Sequence, residues 1–366
     1  MNTALDWLHP IFDPQAAISD LSRLMVTGVI DDPELQRRRT DLSRYFLSYV
    51  NFCPVPFWAP GLIVTNETSR MSETFFPFAV IQGAFQRLVR LSLRQGREII
   101  PPLFQQSSSW LDLLHRLQGG FVRTDPAAVL GVLMGNELER QRFLFSIYLP
   151  QQFGGGFGRY PKQYAFLRQW LRARGVSGGG QLRCLDAACG SGEGTYELAR
   201  LVKDAGVPAG AVSISGVTLS PLEVFAASHA CFPHDPDHER LVRSFLGSVN
   251  DGHSWGEIRF AATDLRTWEP PELFHVILCN GVLGGPMLHH DDALKDVVRR
   301  LARSLERGGI LLAADRFHAG WRKVVPATQL ESLFCAEGLS LVQVGEGIGG
   351  IKALRGLMPG RALICG

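Results

Sequence analysis

The sequence lacks several features that would place it in a specialised class of protein. None of its apolar runs approaches the roughly 18 residues that a membrane-spanning helix needs. Neither sign of charge dominates, because 37 basic side chains stand against 35 acidic ones. The resulting net charge of +2 gives no general attraction to nucleic acid or to an anionic membrane. No C-x-x-C pair occurs among the seven cysteines, which favours a reducing compartment over a disulfide framework.

The beginning of the chain also lacks the pattern of a secretory signal. Residues 1–15 carry early acids and prolines, without a basic region followed by an apolar core. Together with the cysteine usage, this predicts a cytoplasmic protein with no membrane association. The length of 366 residues and the hydrophobic share of 46% predict a globular protein of two domains.

Residues 1–150 predict a mostly helical N-terminal domain in which no motif indicates a function. Apolar side chains recur at helical spacing over residues 35–50 and again over residues 78–95. Several aromatic side chains fit either a hydrophobic core or a substrate pocket, and the sequence does not choose between the two. They are Phe75, Phe76, Phe78 and Phe85.

One stretch, residues 181–201, combines a short apolar strand, an acid, a glycine-rich turn and a helical pattern. Asp186 ends the strand, and Gly190 and Gly192 follow it in the turn. Such a turn lets a ligand lie against bare main chain at the helix N-terminus. The spacing departs from the dinucleotide fingerprint G-x-G-x-x-G, because Thr195 occupies the sixth position and Gly194 comes one residue early. A tight turn that binds nothing is the alternative.

This stretch resembles the first motif of the class I S-adenosylmethionine-dependent methyltransferases, in which an acid and small residues precede G-x-G. Asp186 to Gly192 fit that pattern, except that Ala188 stands where a first glycine is common. The resemblance covers about residues 157–366. It implies an α/β fold with a Rossmann-like, mostly parallel sheet and a closing antiparallel hairpin. Residues 151–366 would then bind S-adenosylmethionine, and residues 1–150 would form a lid or select the acceptor.

The resemblance also implies cofactor contacts at the ends of successive strands. The residues for the methionine end are Asp186, Ala188, Gly190 and Gly192. Those near the ribose are Thr218 and Leu219, those at the adenine are Asp264 and Leu265, and those after the fourth strand are Asn280 and Gly281. Thr218 departs from the acid that is usual there, and its surroundings resemble the cyclopropane-fatty-acid-synthase branch. For Asp264, an aspartate that caps a loop turn is the alternative.

The junction before the first strand resembles that of the chemotaxis-receptor glutamate methyltransferases. Phe157, Arg159 and Pro161 match an aromatic-x-Arg-x-Pro-like stretch of that family. The resemblance implies that Arg159 contacts the cofactor's carboxylate, and the rigid fork of donors in a guanidinium suits that task. A solvated basic residue is the alternative interpretation.

Fewer sequence motifs indicate which residues would bind or activate the methyl acceptor. Leu288-His289-His290 followed by Asp291 resembles a stretch that is common in class I methyltransferases acting on small molecules. His289 or His290 is therefore a candidate general base, with a bystander role as the alternative. Neither an Asn-Pro-Pro-Tyr nor a Pro-Cys motif of DNA methylation follows the fourth strand, which disfavours DNA as the acceptor.

Another group of potential ligands lies between the second and third predicted strands. Its members are His229, Cys231, His234 and His238. Their spacing matches no familiar zinc site, and Pro233 and Pro236 break any shared helical face, so no metal is predicted.

We therefore predict a methyltransferase that uses S-adenosylmethionine to modify a small molecule or a protein carboxylate or hydroxyl group. Two alternatives stay open. The chain could be a non-catalytic module that binds the same cofactor, or a nicotinamide-dependent oxidoreductase on a related sheet. The sequence gives no oligomeric state.

Overall fold

The structure is a computed structural model of the chain. It describes residues 5–26, 33–52, 64–88, 102–117, 125–149, 156–174, 181–249, 256–270, 272–285, 288–314 and 325–354. The chain clusters into two compact units. The sheet unit comprises Met1–Pro10, Gly155–Leu219 and Ser244–Gly366, and the helical unit comprises Ile11–Gly154 and Ser220–Arg243. This division differs from the predicted one into residues 1–150 and 151–366 at two segments. Met1–Pro10 groups with the sheet unit, and Ser220–Arg243 groups with the helical unit.

Helices account for most of the described residues outside the sheet. In the first half they are α1 (Pro14–Leu24), α2 (Pro33–Phe52), α3 (Asn66–Phe75), α4 (Phe78–Leu88), α5 (Pro102–Gln106), α6 (Trp110–Arg116), α7 (Pro126–Gly135) and α8 (Glu137–Tyr148). In the second half they are α9 (Pro161–Arg174), α10 (Glu193–Asp204), α11 (Pro221–His229), α12 (Pro236–Val249), α13 (Asp291–Arg303) and α14 (Ala327–Ala336). The helix predicted over residues 35–50 is confirmed. Of the one predicted over 78–95, residues 78–88 are helical and the rest lie outside the described residues. None of the helices in the described parts of the chain has the length and apolarity needed to span a bilayer.

The strands form one seven-stranded sheet. They are β1 (Leu182–Asp186), β2 (Val212–Thr218), β3 (Glu257–Ala262), β4 (Phe274–Leu278), β5 (Leu305–Ala313), β6 (Leu339–Val342) and β7 (Ile348–Lys352). Their order is β3-β2-β1-β4-β5-β7-β6, with β1 to β5 parallel and β7 antiparallel to both β5 and β6. Every residue of β2 is buried, as expected for a strand inside a sheet covered on both faces. The predicted fold class is confirmed, including its closing hairpin.

A short segment near the N-terminus covers the open edge of the sheet at β3. The main chains of Leu8 and Phe260 exchange two hydrogen bonds of 2.8 Å. The Arg259 guanidinium lies 4.4 Å from the centre of the Trp7 ring. This pairing satisfies backbone groups that would otherwise be available for edge-to-edge association. No motif in the sequence indicates this pairing.

The core of the helical unit is built from aromatic side chains. The rings of Phe85 and Phe143 lie 4.8 Å apart, and Trp110 lies 5.6 Å from Phe143. The Trp110 indole N–H donates to the carbonyl oxygen of Pro126 at 3.0 Å, which satisfies its one polar atom in a fully buried position. Phe76, Phe78 and Phe85 are all buried, as the core interpretation predicts.

The histidines of residues 229–238 have separate protein partners. In the helical unit, His229 Nδ1 lies 2.8 Å from the carbonyl oxygen of Ile11, and its Nε2 lies 3.1 Å from the Asp20 carboxylate. His234 Nε2 lies 2.8 Å from the carbonyl oxygen of Leu149. Within the described ranges, no group of three or more histidine, cysteine, aspartate or glutamate residues could hold a metal ion.

Candidate functional site

The candidate site begins where the strand order of the sheet reverses. β1 lies between β2 and β4. β2 and β3 extend the sheet on one side of β1, and the later strands, from β4 onwards, extend it on the other side. Open α/β sheets bind ligands in the crevice at the carboxyl ends of the strands at such a point. Two hydrogen bonds hold the turn after β1 to the neighbouring strand ends. The Ala187 N–H donates to the Leu278 carbonyl at 2.7 Å, and the Cys189 N–H donates to the Val217 carbonyl at 3.0 Å.

The two glycines of this turn adopt conformations that other residues rarely adopt. Gly190 has φ of 52° and Gly192 has φ of 97°. Gly192 is also the N-cap of α10, where it has no side chain to accept a hydrogen bond from the first helical turn. Since the first N–H groups of a helix lack intrahelical partners, a polar or anionic ligand group can accept from them. The turn therefore presents bare main chain and a helix N-terminus together.

Asp186 is a buried acid next to that main chain. Its carboxylate accepts hydrogen bonds from the Thr195 hydroxyl at 2.8 Å and from the backbone N–H of Ala188. Burial nevertheless raises the pKa of this carboxyl from 3.8 to about 6, and the charge of Glu193 adds to the increase. The two hydrogen bonds thus leave its negative charge only partly compensated, so a positively charged group close to it would be stabilised.

A second buried acid lies at the start of α10. Glu193 is 1% exposed, and its carboxylate oxygens accept from the Ser191 hydroxyl at 2.9 and 3.0 Å. Glu193 was not predicted as a site residue, because an acid in the first turn is common at any helix N-terminus. Its burial distinguishes it from such a surface residue, and burial was not readable from the sequence.

The segment that carries Arg159 lies against the N-terminal half of α10. The Gly158 N–H donates to the Glu197 carboxylate at 2.6 Å, and the Tyr164 hydroxyl donates to the Gly194 carbonyl at 3.4 Å. Burial raises the pKa of Tyr164 well above its usual value, Glu197 and Asp186 act in the same direction, and Arg159 opposes them. The structure therefore brings Arg159 into the electrostatic environment of the turn. Its contact with a cofactor stays a prediction.

Asn280 follows β4, and both polar atoms of its side-chain amide have hydrogen-bond partners within the protein. Its Oδ1 accepts from the Ala314 N–H at 2.8 Å and from Gln163 Nε2 at 3.2 Å. Its Nδ2 donates to Gln163 Oε1 at 2.9 Å. Gln163 is completely buried on α9. The pair connects the start of α9 with the carboxyl ends of β4 and β5, which indicates a positioning role for Asn280. A direct cofactor contact by Asn280 or by Gly281 stays a prediction.

We expect Asn280→Ala to lower the free energy of unfolding by about 1–3 kcal/mol, because it leaves the buried amide of Gln163 without its partner. Gln163→Ala should cost less, because Asn280 is half-buried and its Oδ1 keeps the Ala314 N–H as a donor. The double variant should lose less than the sum, with a coupling energy of about 1 kcal/mol in chemical denaturation. Gln169→Ala, at an exposed position of the same helix, is the control and should change stability little. Additive losses would show that the two amides do not act as a pair.

The predicted ribose and adenine residues follow the next two strands of the same edge. Thr218 is buried at the end of β2, and its carbonyl oxygen accepts from the Thr263 N–H at 2.7 Å. Leu219 and Leu265 are half-buried. The Asp264 carboxylate accepts from the N–H of Arg266 at 3.0 Å and from its guanidinium at 2.6 and 2.9 Å. Asp264 therefore caps a turn, as the alternative interpretation has it, and it is also ion-paired.

Two variants separate a cofactor role of Asp264 from its structural role. We expect Asp264→Ala to weaken S-adenosylhomocysteine binding by roughly tenfold or more, the effect of losing one hydrogen bond to a charged group. Arg266→Ala breaks the same ion pair but keeps the carboxylate, so its affinity should stay close to that of the wild type. Calorimetric titration of both variants gives the comparison. Equal affinities for Asp264→Ala and wild type would assign Asp264 to turn capping alone.

The candidate bases directly precede α13, the helix that follows β4. His290 is the N-cap of α13 and is exposed, whereas His289 is half-buried. Their ring centres lie 4.2 Å apart. A general-base role for either residue stays a prediction.

The structure thus gathers most of the predicted residues at one edge of the sheet. The residues after β1, β2, β3 and β4 all lie at carboxyl ends of neighbouring parallel strands. Residues that the sequence analysis missed are Gln163, Glu193 and Arg266. The burial of Gln163 could have been predicted from the sequence. It precedes Leu167 and Leu171 by one and two helical turns and therefore lies on the same inward face of α9.

No protein-family model matches the chain. A segment of 96 residues is 31% identical to the probable biofilm formation methyltransferase WspC of Pseudomonas putida, and it covers 26% of this chain and 22% of that protein. The chain thus aligns with about a fifth of the length of this relative. This match confirms the predicted resemblance to methyltransferases.

Solved methyltransferase structures also superpose on part of the chain. One is the N-methyltransferase NodS of Bradyrhizobium japonicum, at 18% identity and a TM-score of 0.34, with 54% of this chain and 99% of that chain covered. Another is a TehB-like S-adenosylmethionine-dependent methyltransferase of Corynebacterium glutamicum, at 20% identity and a TM-score of 0.34, with 60% and 97% covered. Scores of this size reflect partial superposition, so the fold assignment depends on the strand order of this chain itself.

Proposed function

We propose that the chain is an S-adenosylmethionine-dependent methyltransferase. The observation that carries this proposal is the turn after β1, where bare main chain, a helix N-terminus and the buried Asp186 meet at the reversal of strand order. The methyltransferase relative of Pseudomonas putida supports the proposal, since about a quarter of this chain aligns with it.

The residues at the turn fit an amino-acid tail that carries both a cation and an anion. Asp186 would hold the ammonium group, because a nearby positive charge stabilises a buried carboxylate. The N–H groups at the start of α10 would receive the carboxylate, which a helix N-terminus favours. Arg159 is a second candidate for that carboxylate. Bound S-adenosylmethionine would supply a methyl group activated by its positively charged sulfur.

The acceptor is proposed as a small molecule or a protein carboxylate or hydroxyl group. The main task of this chain's residues is to hold both reactants in line, and alignment alone supplies much of the rate in such a displacement. A carboxylate acceptor needs no base at neutral pH. A hydroxyl acceptor would need one, for which His289 and His290 are the candidates.

Two measurements test the proposal in order. Calorimetry should detect binding of S-adenosylmethionine and S-adenosylhomocysteine but not of NAD, and binding of NAD alone would instead support the oxidoreductase alternative. Incubation with methyl-labelled S-adenosylmethionine and pools of metabolites or proteins should then transfer label to an acceptor. Tight cofactor binding without transfer to any pool would support the non-catalytic module.

A further inference from the structure

Thr195 occupies the position at which the spacing of the glycine turn departs from the dinucleotide fingerprint, and its hydroxyl has a specific partner. Thr195 is the third residue of α10 and is completely buried. A threonine in a helix often donates to the carbonyl oxygen four residues earlier. Thr195 donates instead to Oδ2 of Asp186, at 2.8 Å. Its side chain therefore connects α10 with the acid at the end of β1.

Two glycines leave room for this hydrogen bond. A Cβ atom on Gly216 of β2 would lie 3.0 Å from Thr195 Oγ1 and 2.7 Å from the Phe260 ring. A Cβ atom on Gly194 would lie 3.2 Å from Asp186 Oδ2. All three distances are shorter than a Cβ atom normally makes. The dinucleotide fingerprint has a glycine where Thr195 stands, whereas this chain has a hydroxyl there and small residues around it.

The hydrogen bond acts on a carboxylate whose charge is disfavoured by its surroundings. The pKa of Asp186 is raised to about 6, chiefly by burial. The hydrogen bonds from the Thr195 hydroxyl and the Ala188 N–H lower this pKa, and the charge of Glu193 raises it. The Ala188 donor belongs to the main chain, which every residue except proline supplies. The Thr195 hydroxyl is therefore the donor that depends on the identity of a side chain.

We propose that Thr195 is a positioning residue that holds the Asp186 carboxylate in its charged form and fixes its direction, and thereby selects a ligand whose tail carries an ammonium group. The proposal rests on the proposed binding of S-adenosylmethionine and adds the residue that determines which tail the turn accepts. Without the hydroxyl, the carboxylate would keep the Ala188 N–H but lose a charge-assisted hydrogen bond. Its charge would then be less stable, and an ammonium group would gain less from it.

Calorimetric titration of the full chain with two ligands tests the proposal. They are S-adenosylhomocysteine and 5′-methylthioadenosine, which has the same nucleoside and sulfur but no amino-acid tail. Thr195→Val keeps the branched shape and removes the hydroxyl. At pH 7 it should bind S-adenosylhomocysteine at least about tenfold more weakly than wild type, the effect of losing a hydrogen bond to a charged group. Its affinity for 5′-methylthioadenosine should be unchanged, and Thr195→Ser, which keeps the hydroxyl, should retain wild-type affinity for both.

The pH dependence of the affinity is a readout that a purely structural role would not change. An ammonium group pairs with Asp186 only while the carboxyl is ionised, so affinity for S-adenosylhomocysteine should fall as the pH decreases through the pKa of Asp186. That pKa is about 6 in wild type, and loss of the Thr195 donor raises it, so Thr195→Val should lose affinity at a higher pH. The other titratable groups near Asp186 are Glu193, Tyr164 of α9 and Cys279 after β4, which are the same in both proteins.

Ser304→Ala is the control for the loss of a buried hydroxyl. Ser304 is the C-cap of α13, and its hydroxyl donates to the Arg300 carbonyl at 2.8 Å. Its affinity for S-adenosylhomocysteine and the pH dependence of that affinity should match wild type. If Thr195→Val does not fold, Thr195→Ala removes the same hydroxyl and should show the same two changes.

The outcomes separate this inference from the proposed function. S-adenosylhomocysteine binding to wild type, combined with the same affinity and pH profile in the variant that lacks the hydroxyl, would overturn the role of Thr195 alone. Equal losses of affinity for both ligands would assign Thr195 to the fold and also overturn it. No binding of either ligand to wild type would refute the proposed function itself.

Discussion

Asp186→Asn is expected to stabilise the ligand-free protein at pH 7 while it weakens cofactor binding. Burial raises the pKa of the Asp186 carboxyl from 3.8 to about 6, so at pH 7 the folded state holds a charge that it disfavours. A shift of about two units corresponds to roughly 3 kcal/mol. The asparagine keeps the shape and removes the charge, so chemical denaturation at pH 7 should show a higher free energy of unfolding by up to that amount.

The pH dependence of this effect has a defined sign. Because the pKa of Asp186 is higher in the folded state than in the unfolded state, the folded state binds the proton more tightly. The stability contributed by the protonated carboxyl is therefore present below about pH 4 and is lost as the pH rises through about 6. The difference between Asp186→Asn and wild type should accordingly shrink towards zero at pH 4.

The same variant should bind S-adenosylhomocysteine at least about tenfold more weakly at pH 7, because the ammonium group of the ligand loses its partner. If a substitution raises the free energy of unfolding and lowers the affinity for the ligand, the group that it removes contributes to binding at a cost in stability. Calorimetric titration provides the measurement. Wild-type affinity in Asp186→Asn would exclude its carboxylate from the site.

Gly192→Ala is expected to abolish or strongly reduce cofactor binding. A residue with a Cβ atom is strained at φ of 97°, which costs about 1–3 kcal/mol, and the added methyl group also lies on the main chain that the ligand would approach. We expect a loss of affinity of at least about tenfold in calorimetry, together with a lower melting temperature.

Gly206→Ala is the matched control for the backbone strain. Gly206 follows the last turn of the same helix, has φ of 85°, and has open space where a Cβ atom would be. Gly206→Ala should lower the melting temperature about as much as Gly192→Ala does, but it should leave the cofactor affinity unchanged. Equal losses of affinity in both glycine variants would show that the effect comes from general destabilisation rather than from the turn.

The sheet could be predicted from the sequence because its strands are short apolar runs separated by helical patterns. β1 lies within the stretch 181–201 where a short apolar strand was predicted, and β6 and β7 form the closing hairpin that the resemblance implied. The shift in the pairing register between β4 and β5, next to Gly308 and Gly309, follows no pattern of apolar residues and was not predicted. Pairing of Leu8 with Phe260 was not predictable, because it joins residues about 250 positions apart.

The candidate site was predictable in location but less so in its contacts. Glycine spacing after Asp186 marks the turn, since few other residues adopt its dihedral angles. In contrast, the partners of Asp264 and Asn280 depend on which side chains the fold brings near, and the sequence alone gives no such distances. Arg266 is only two residues from Asp264, yet adjacent charged residues pair too variably for the sequence to predict it.

A crystal structure of the chain with S-adenosylhomocysteine tests the central claim most directly. The amino-acid tail of the ligand should lie within hydrogen-bond distance of the main chain of residues 187–192, with its ammonium group beside the Asp186 carboxylate. Ligand density at another place in the sheet unit, or no bound ligand at saturating concentration, would contradict the assignment of this turn as the cofactor site.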